Sequence, residues 1–201
     1  MNIWGGARYT FLNHGSVYST VYVDDFDFNR RFYIAAATFG GTLIDIDHRK
    51  FDLTIEYTAL RPFVYANDIT VLRRTSNGYV LGDWLGQNAE RIQAWVDYRP
   101  IPELWFSASF TKMRKGLDGT TAQEYSTAPI NAVEFLDGPL FRRSELDVRG
   151  RWEMHPGLFA DFSYRLVTQS DDVVGRYTDF SNRSFVSVAL RLNIFDRNDE
   201  W

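Results

Sequence analysis

Charged residues at every second position are the chemically pregnant feature of this sequence. In 146–154, Asp147, Arg149, Arg151 and Glu153 alternate with Leu146, Val148, Gly150, Trp152 and Met154. The same spacing puts Asp52, Glu56, Arg91, Asp97, Asp161, Arg165 and Arg191 opposite apolar neighbours. Residues two apart share one face of an extended strand. Acids and arginines on one such face form cross-strand ion pairs, and arginines present planar forks to the carboxylates of an anionic glycan. A second group suits sugars: Tyr65, Asn67, Tyr79, Trp84 and Asn88 combine flat aromatic rings with amides, and Asp68, Asn77 and Asp83 lie among them.

Other chemistries find less support. The three histidines, His14, His48 and His155, all fall in short turns, and neither Gly-x-Ser-x-Gly nor His-Glu-x-x-His occurs, so the expectation is no enzyme. Asp24-Asp25 and the pair Asp45 and Asp47 raise the question of calcium, but no EF-hand spacing is present and ordinary loop entry is expected, with no metal and no cofactor. There is no cysteine for thiol chemistry, disulfides or zinc.

The elements that must position these residues are strands. In 158–166, Leu158, Ala160, Phe162, Tyr164 and Leu166 alternate with Phe159, Asp161, Ser163 and Arg165; in 186–194, Val186, Val188, Leu190, Leu192 and Ile194 alternate with Ser187, Ala189, Arg191 and Asn193. A face carrying both signs of charge, backed by an apolar face with aromatics near its ends, is the pattern of a transmembrane β-barrel with lipid outside and a polar lumen. The 201 residues suit one domain, residues 1–201. A mean hydropathy of −0.30 does not oppose this, because a barrel strand needs only about 9–11 residues, half of them polar. No stretch approaches the roughly 18 apolar residues of a membrane helix. A net charge of −4 without a basic stripe argues against nucleic acid.

About nine strands are expected, near 2–12, 16–26, 33–47, 50–61, 88–99, 103–113, 145–155, 158–168 and 184–195. Tight turns at 13–15, 47–49, 99–102 and 154–157 alternate with longer links at 26–32, 61–87, 114–144 and 168–183. In outer-membrane barrels short turns face the periplasm and long loops face outside. The 61–87 loop is expected to fold over the rim with Leu81, Trp84 and Leu85 as its own small core. The sequence opens MNIWGG without a basic n-region or apolar h-region. With an odd strand count, the expectation is the C-terminal half of a larger barrel, lacking upstream strands.

Several stretches in residues 1–115 resemble the Wzi-type capsule-assembly outer-membrane proteins: Val17-Tyr18 through Val23-Asp24-Asp25-Phe26, the 51–57 strand ending Glu56-Tyr57, Arg61-Pro62-Phe63-Val64-Tyr65, Leu81-Gly82-Asp83-Trp84-Leu85-Gly86-Gln87-Asn88-Ala89-Glu90, and Tyr98-Arg99-Pro100. The resemblance implies a barrel of about eighteen strands in the bacterial outer membrane, of which nine are here. It also implies a lectin-like, non-enzymatic role in holding capsular polysaccharide. A passive porin-like channel and a soluble lipocalin-like binding barrel are the alternatives.

Overall fold

The computed structural model describes residues 3–11, 14–27, 32–46, 50–64, 75–76, 79–80, 83–119 and 134–193. Within them the architecture is all β. The strands are β1 (Ile3–Phe11), β2 (Gly15–Asp27), β3 (Phe32–Leu43), β4 (Phe51–Leu60), β5 (Thr75–Ser76), β6 (Tyr79–Val80), β7 (Ala89–Ile101), β8 (Leu104–Lys115), β9 (Phe141–His155), β10 (Leu158–Asp171) and β11 (Phe180–Leu192). Nine of them form one antiparallel meander in the order β1-β2-β3-β4-β7-β8-β9-β10-β11, while β5 and β6 make a separate small hairpin in the link after β4. Among the described residues β1 pairs only with β2, and β11 only with β10, so the sheet has two open edges there.

The register keeps the two kinds of side chain on opposite faces across the whole sheet. One row runs Leu43, Leu53, Val96, Ala108, Val148, Tyr164, Val186 over seven neighbouring strands. The next residue along each strand stands on the other face, where Asp52 faces Asp97, Arg165 faces Asp147 and Asp161 faces Arg151. Glu56, Arg91, Arg149, Glu153 and Arg191 share that polar face. The apolar face is the exposed one: Phe39 is 52 %, Trp152 52 % and Val188 75 % accessible, whereas Thr58, Arg91 and Asp147 on the polar face are buried. This inverts the burial order of a water-soluble sheet.

The nine expected strands are present, but their limits and links differ. β9 and β10 extend to Phe141 and Asp171, and β11 begins at Phe180, so the links after β8 and β10 are 116–140 and 172–179. Here alternation fades because Lys112, Arg114, Arg142, Ser144, Thr168 and Ser170 put polar groups on the apolar face, yet the backbone ladder continues without them. Alternation of tight and long links fails near the start: only 28–31 separate β2 from β3, while 44–50 separate β3 from β4. That second link is widened by Asp45, left-handed at φ 52°, which accepts the Lys50 N–H at 3.0 Å and donates its own N–H to Asp52 at 2.8 Å.

The buried apolar cluster lies at the loop end. Ile34, Ala36, Leu60 and Ala89 come from the polar face of β3, β4 and β7, and Phe63, Val64 and Leu85 come down from the link after β4, with Tyr22 and Met113 packed alongside. The expected loop core keeps Leu85 but not Trp84, which is 63 % exposed; Leu81 lies outside the described residues. The loop therefore packs on the sheet itself, because the polar face turns apolar at its rim.

Candidate functional site

Two features stand out, the ion-paired polar face and the cap of loops above it. On β9, β10 and β11 the charges form continuous networks. Asp147 accepts from Arg149 Nε at 2.6 Å and Arg165 Nε at 2.8 Å. Arg165 also reaches Glu145 at 3.2 Å, and Glu145 takes Arg143 at 2.7 Å. Asp161 sits between Arg151 at 2.7 Å and Arg191 at 3.7 Å. Glu153 accepts the Gly157 N–H at 3.1 Å and so shapes the β9–β10 turn. Asp97 shares the face with Asp52 opposite it.

Toward β1 the face carries a different row. The Trp84 ring lies 5.4 Å from the Arg91 guanidinium, Arg91 pairs with Glu56 at 3.2 Å, and Glu56 accepts the Tyr18 hydroxyl at 2.6 Å. Beyond Tyr18 the Arg8 guanidinium lies 5.8 Å from the phenol ring. Gly40 makes this possible, since a methyl there would overlap the Tyr18 ring. Arg91 is buried, and its Nε has no hydrogen-bond partner among the described residues.

The cap is organised by Asn88, fully buried and left-handed at φ 53°, a conformation that asparagine tolerates better than most residues. Its amide donates to the Leu117 carbonyl at 2.9 Å and accepts the Leu136 N–H at 2.9 Å. Its backbone joins Arg61 O at 3.2 Å and the Gly116 N–H at 2.8 Å. Gln87 accepts the Phe63 N–H at 2.7 Å and donates to Gly119 O at 3.0 Å, and Lys115 Nζ ties the Leu85 and Gln87 carbonyls to Asp118. Two further left-handed residues, Phe63 (φ 68°) and Leu136 (φ 59°), are thus held by side-chain amides.

Of the residues with sugar-binding chemistry, Trp84 is exposed at the loop end, whereas Asn88 is sealed inside the cap and spends its amide on neighbouring loops. Tyr79 sits in β6, and Tyr65 and Asn67 lie outside the described residues. His14 and His155 stand at the opposite, short-turn end; His48 and Asp47 lie outside the described residues. The apolar cluster of Ile34, Leu60, Phe63 and Val64 was not anticipated; its signal was the unalternating Ile34-Ala35-Ala36-Ala37 run.

The β10–β11 link, 172–179, is locked by charge. Asp171 accepts Arg176 Nε at 2.9 Å and Nη2 at 2.8 Å plus the Val173 N–H at 3.0 Å, and Asp172 accepts Arg142 Nη1 at 2.8 Å and the Leu140 N–H at 3.0 Å. The Arg176 fork holds the Asp171 carboxyl below the usual carboxylate range, and the Arg142 bond does the same for Asp172. Depressed values mean that this lock is complete above the ordinary aspartate pKa of about 3.9 and is lost as pH falls through the lowered values. An acid-active protease is expected to spare 172–179 at pH 5 and to cut there progressively below about pH 4. Equal cutting at pH 5 would show that the carboxylates do not hold the loop.

No protein-family model matches this chain, and a search of curated proteins finds no match.

Proposed function

We propose that this chain forms part of the wall of a Wzi-like capsule-assembly barrel in the bacterial outer membrane, which retains surface polysaccharide without covalent chemistry. The observation that carries the reading is the exposed apolar face, continuous over nine strands and backed by an ion-paired one in which Thr58, Arg91 and Asp147 are buried. Exposed apolar area on this scale marks a contact with lipid or protein, and a soluble binding barrel would turn that face inward. Phe51, Tyr98, Phe106 and Trp152 sit on it near the short turns, and Glu90, Lys112, Arg114 and Arg142 at the loop end, which supports an interfacial aromatic belt and a charged upper limit. The longest links, 61–88 and 116–140, leave the same end of the sheet and form the surface offered to glycan.

Completion of the barrel is part of the proposal. In an antiparallel meander of nine strands, β1 and β11 run in the same direction. Antiparallel closure therefore needs an odd number of additional strands, in keeping with the even counts of bacterial barrels and with a nine-strand complement. The inward packing of Phe63, Val64 and Leu85 on the polar face favours retention over the passive pore.

The test is gel mobility before and after boiling, with circular dichroism, for the chain refolded with and without detergent, followed by co-sedimentation with capsular polysaccharide and single-channel recording. A β-rich, heat-modifiable species found only in detergent, binding glycan and conducting weakly, is expected. A soluble β-rich monomer in plain buffer would exclude the membrane reading, and open, steady conductance without glycan binding would make the chain a porin.

A further inference from the structure

We propose that the polar face itself holds a binding groove for an acidic saccharide unit, separate from the loops. The inference rests on the barrel reading above only in that this face becomes an interior reachable from the loop end. A groove of about 600 Å³ crosses β1 to β7, lined by Trp4, Arg8, Tyr18, Thr42, Thr54 and Trp95. That is within the range of about 300–1,000 Å³ usual for small-molecule sites.

Three features of its lining bear on the ligand. First, two indoles and a phenol gather in it and Trp4 is 72 % exposed, whereas Trp105 and Phe159 elsewhere on the face are each covered by an arginine. On the apolar face such a ring needs only lipid; on a polar face it wants a flat apolar partner. Second, Arg91, Arg143, Arg149, Arg151, Arg165 and Arg191 all pair with carboxylates. Arg8, like Arg183 at the far edge of the sheet, pairs with none among the described residues; the Arg8 guanidinium donates to Ser16 Oγ at 3.3 Å and rests beside the Tyr18 ring. Third, Thr54 donates to the Thr42 hydroxyl at 3.2 Å, which leaves acceptor capacity on both oxygens at the floor.

A pyranose bearing a carboxylate satisfies all three. Its ring C–H face stacks on indole, its carboxylate takes the Arg8 fork, and its hydroxyls meet the threonines. A neutral sugar leaves Arg8 unmet, and inorganic phosphate leaves the tryptophans without a partner. Glu56 does not oppose the anion strongly, because Arg91 and the Tyr18 hydroxyl already occupy its oxygens. The row Arg8, Tyr18, Glu56, Arg91, Trp84 then connects the groove to the exposed ring at the loops.

The experiment titrates the chain, folded in detergent micelles and checked by heat-modifiable mobility, with oligogalacturonate while reading tryptophan fluorescence. Saturable quenching is expected. It should weaken about tenfold or more in Arg8→Gln, recover partly in Arg8→Lys, and weaken similarly for a neutral galactan. Equal affinity for the neutral polymer, full competition by inorganic phosphate, or no quenching by the folded chain overturns the proposal. Binding that survives Arg8→Gln but is lost in Trp84→Ala places the glycan on the loops alone; the groove then fails while the capsule reading stands.

Discussion

Replacing Val188 by arginine is expected to cost the folded chain roughly 2–4 kcal/mol in a bilayer, the penalty for a charge on the lipid side of a barrel strand near the midplane. Val188 is 75 % exposed on β11, so in a water-facing sheet the same substitution would stay within about 0.5 kcal/mol. The neighbouring position supplies the control. Ala189 stands on the other face opposite Asp161, where an added arginine meets a carboxylate already shared by Arg151 and Arg191. Urea titrations of chains folded into lipid vesicles should therefore show a large loss for Val188→Arg and little change for Ala189→Arg. Two equally small effects would mean that the apolar face meets water.

The second large effect is expected at Asn88. In Asn88→Leu the Leu117 carbonyl and the Leu136 N–H both lose their partner in a fully buried setting. An unsatisfied buried group costs about 1–3 kcal/mol, and a branched side chain is strained at a φ of 53°. Together these amount to roughly 3–5 kcal/mol, concentrated in the cap because the sheet below is untouched. Hydrogen exchange should speed up at 116–119 and 134–140 while β9 and β10 stay protected. Uniform acceleration across the sheet would show that Asn88 supports the whole fold and not the cap.

The contrast between these two sites explains what the sequence discloses. A face repeated over many strands announces itself, since Val148, Tyr164 and Val186 each have an apolar neighbour two residues away, and the register then only has to keep them level. The cap has no such repetition. Nothing around Asn88 distinguishes a sugar-binding amide from one that ties loops 116–119 and 134–140, because its partners are backbone groups about thirty to fifty residues away. Strand ends were blurred for a related reason: at Arg142 and Ser144 the alternation of hydrophobicity stops, but the ladder does not depend on side-chain polarity. Arg8 was equally silent, since lacking a carboxylate partner is a property of the neighbourhood and not of the residue.

The overshoot of β9 and β10 has a mechanical consequence. Beyond Leu146 the two strands stay paired for five more rungs, to Phe141 and Asp171, or roughly 15 Å at about 3.3 Å per residue. In a bilayer seated on the apolar face this end of the sheet, where β8 also stays paired with β9 as far as Lys115 and Phe141, would stand in water, braced at its tip by the Phe141–Tyr177 ring contact at 4.5 Å and the Asp171–Arg176 fork. A polymer captured there, as the capsule reading proposes, would meet a surface already ordered, so little chain entropy would be surrendered, and it would be held clear of the headgroups below.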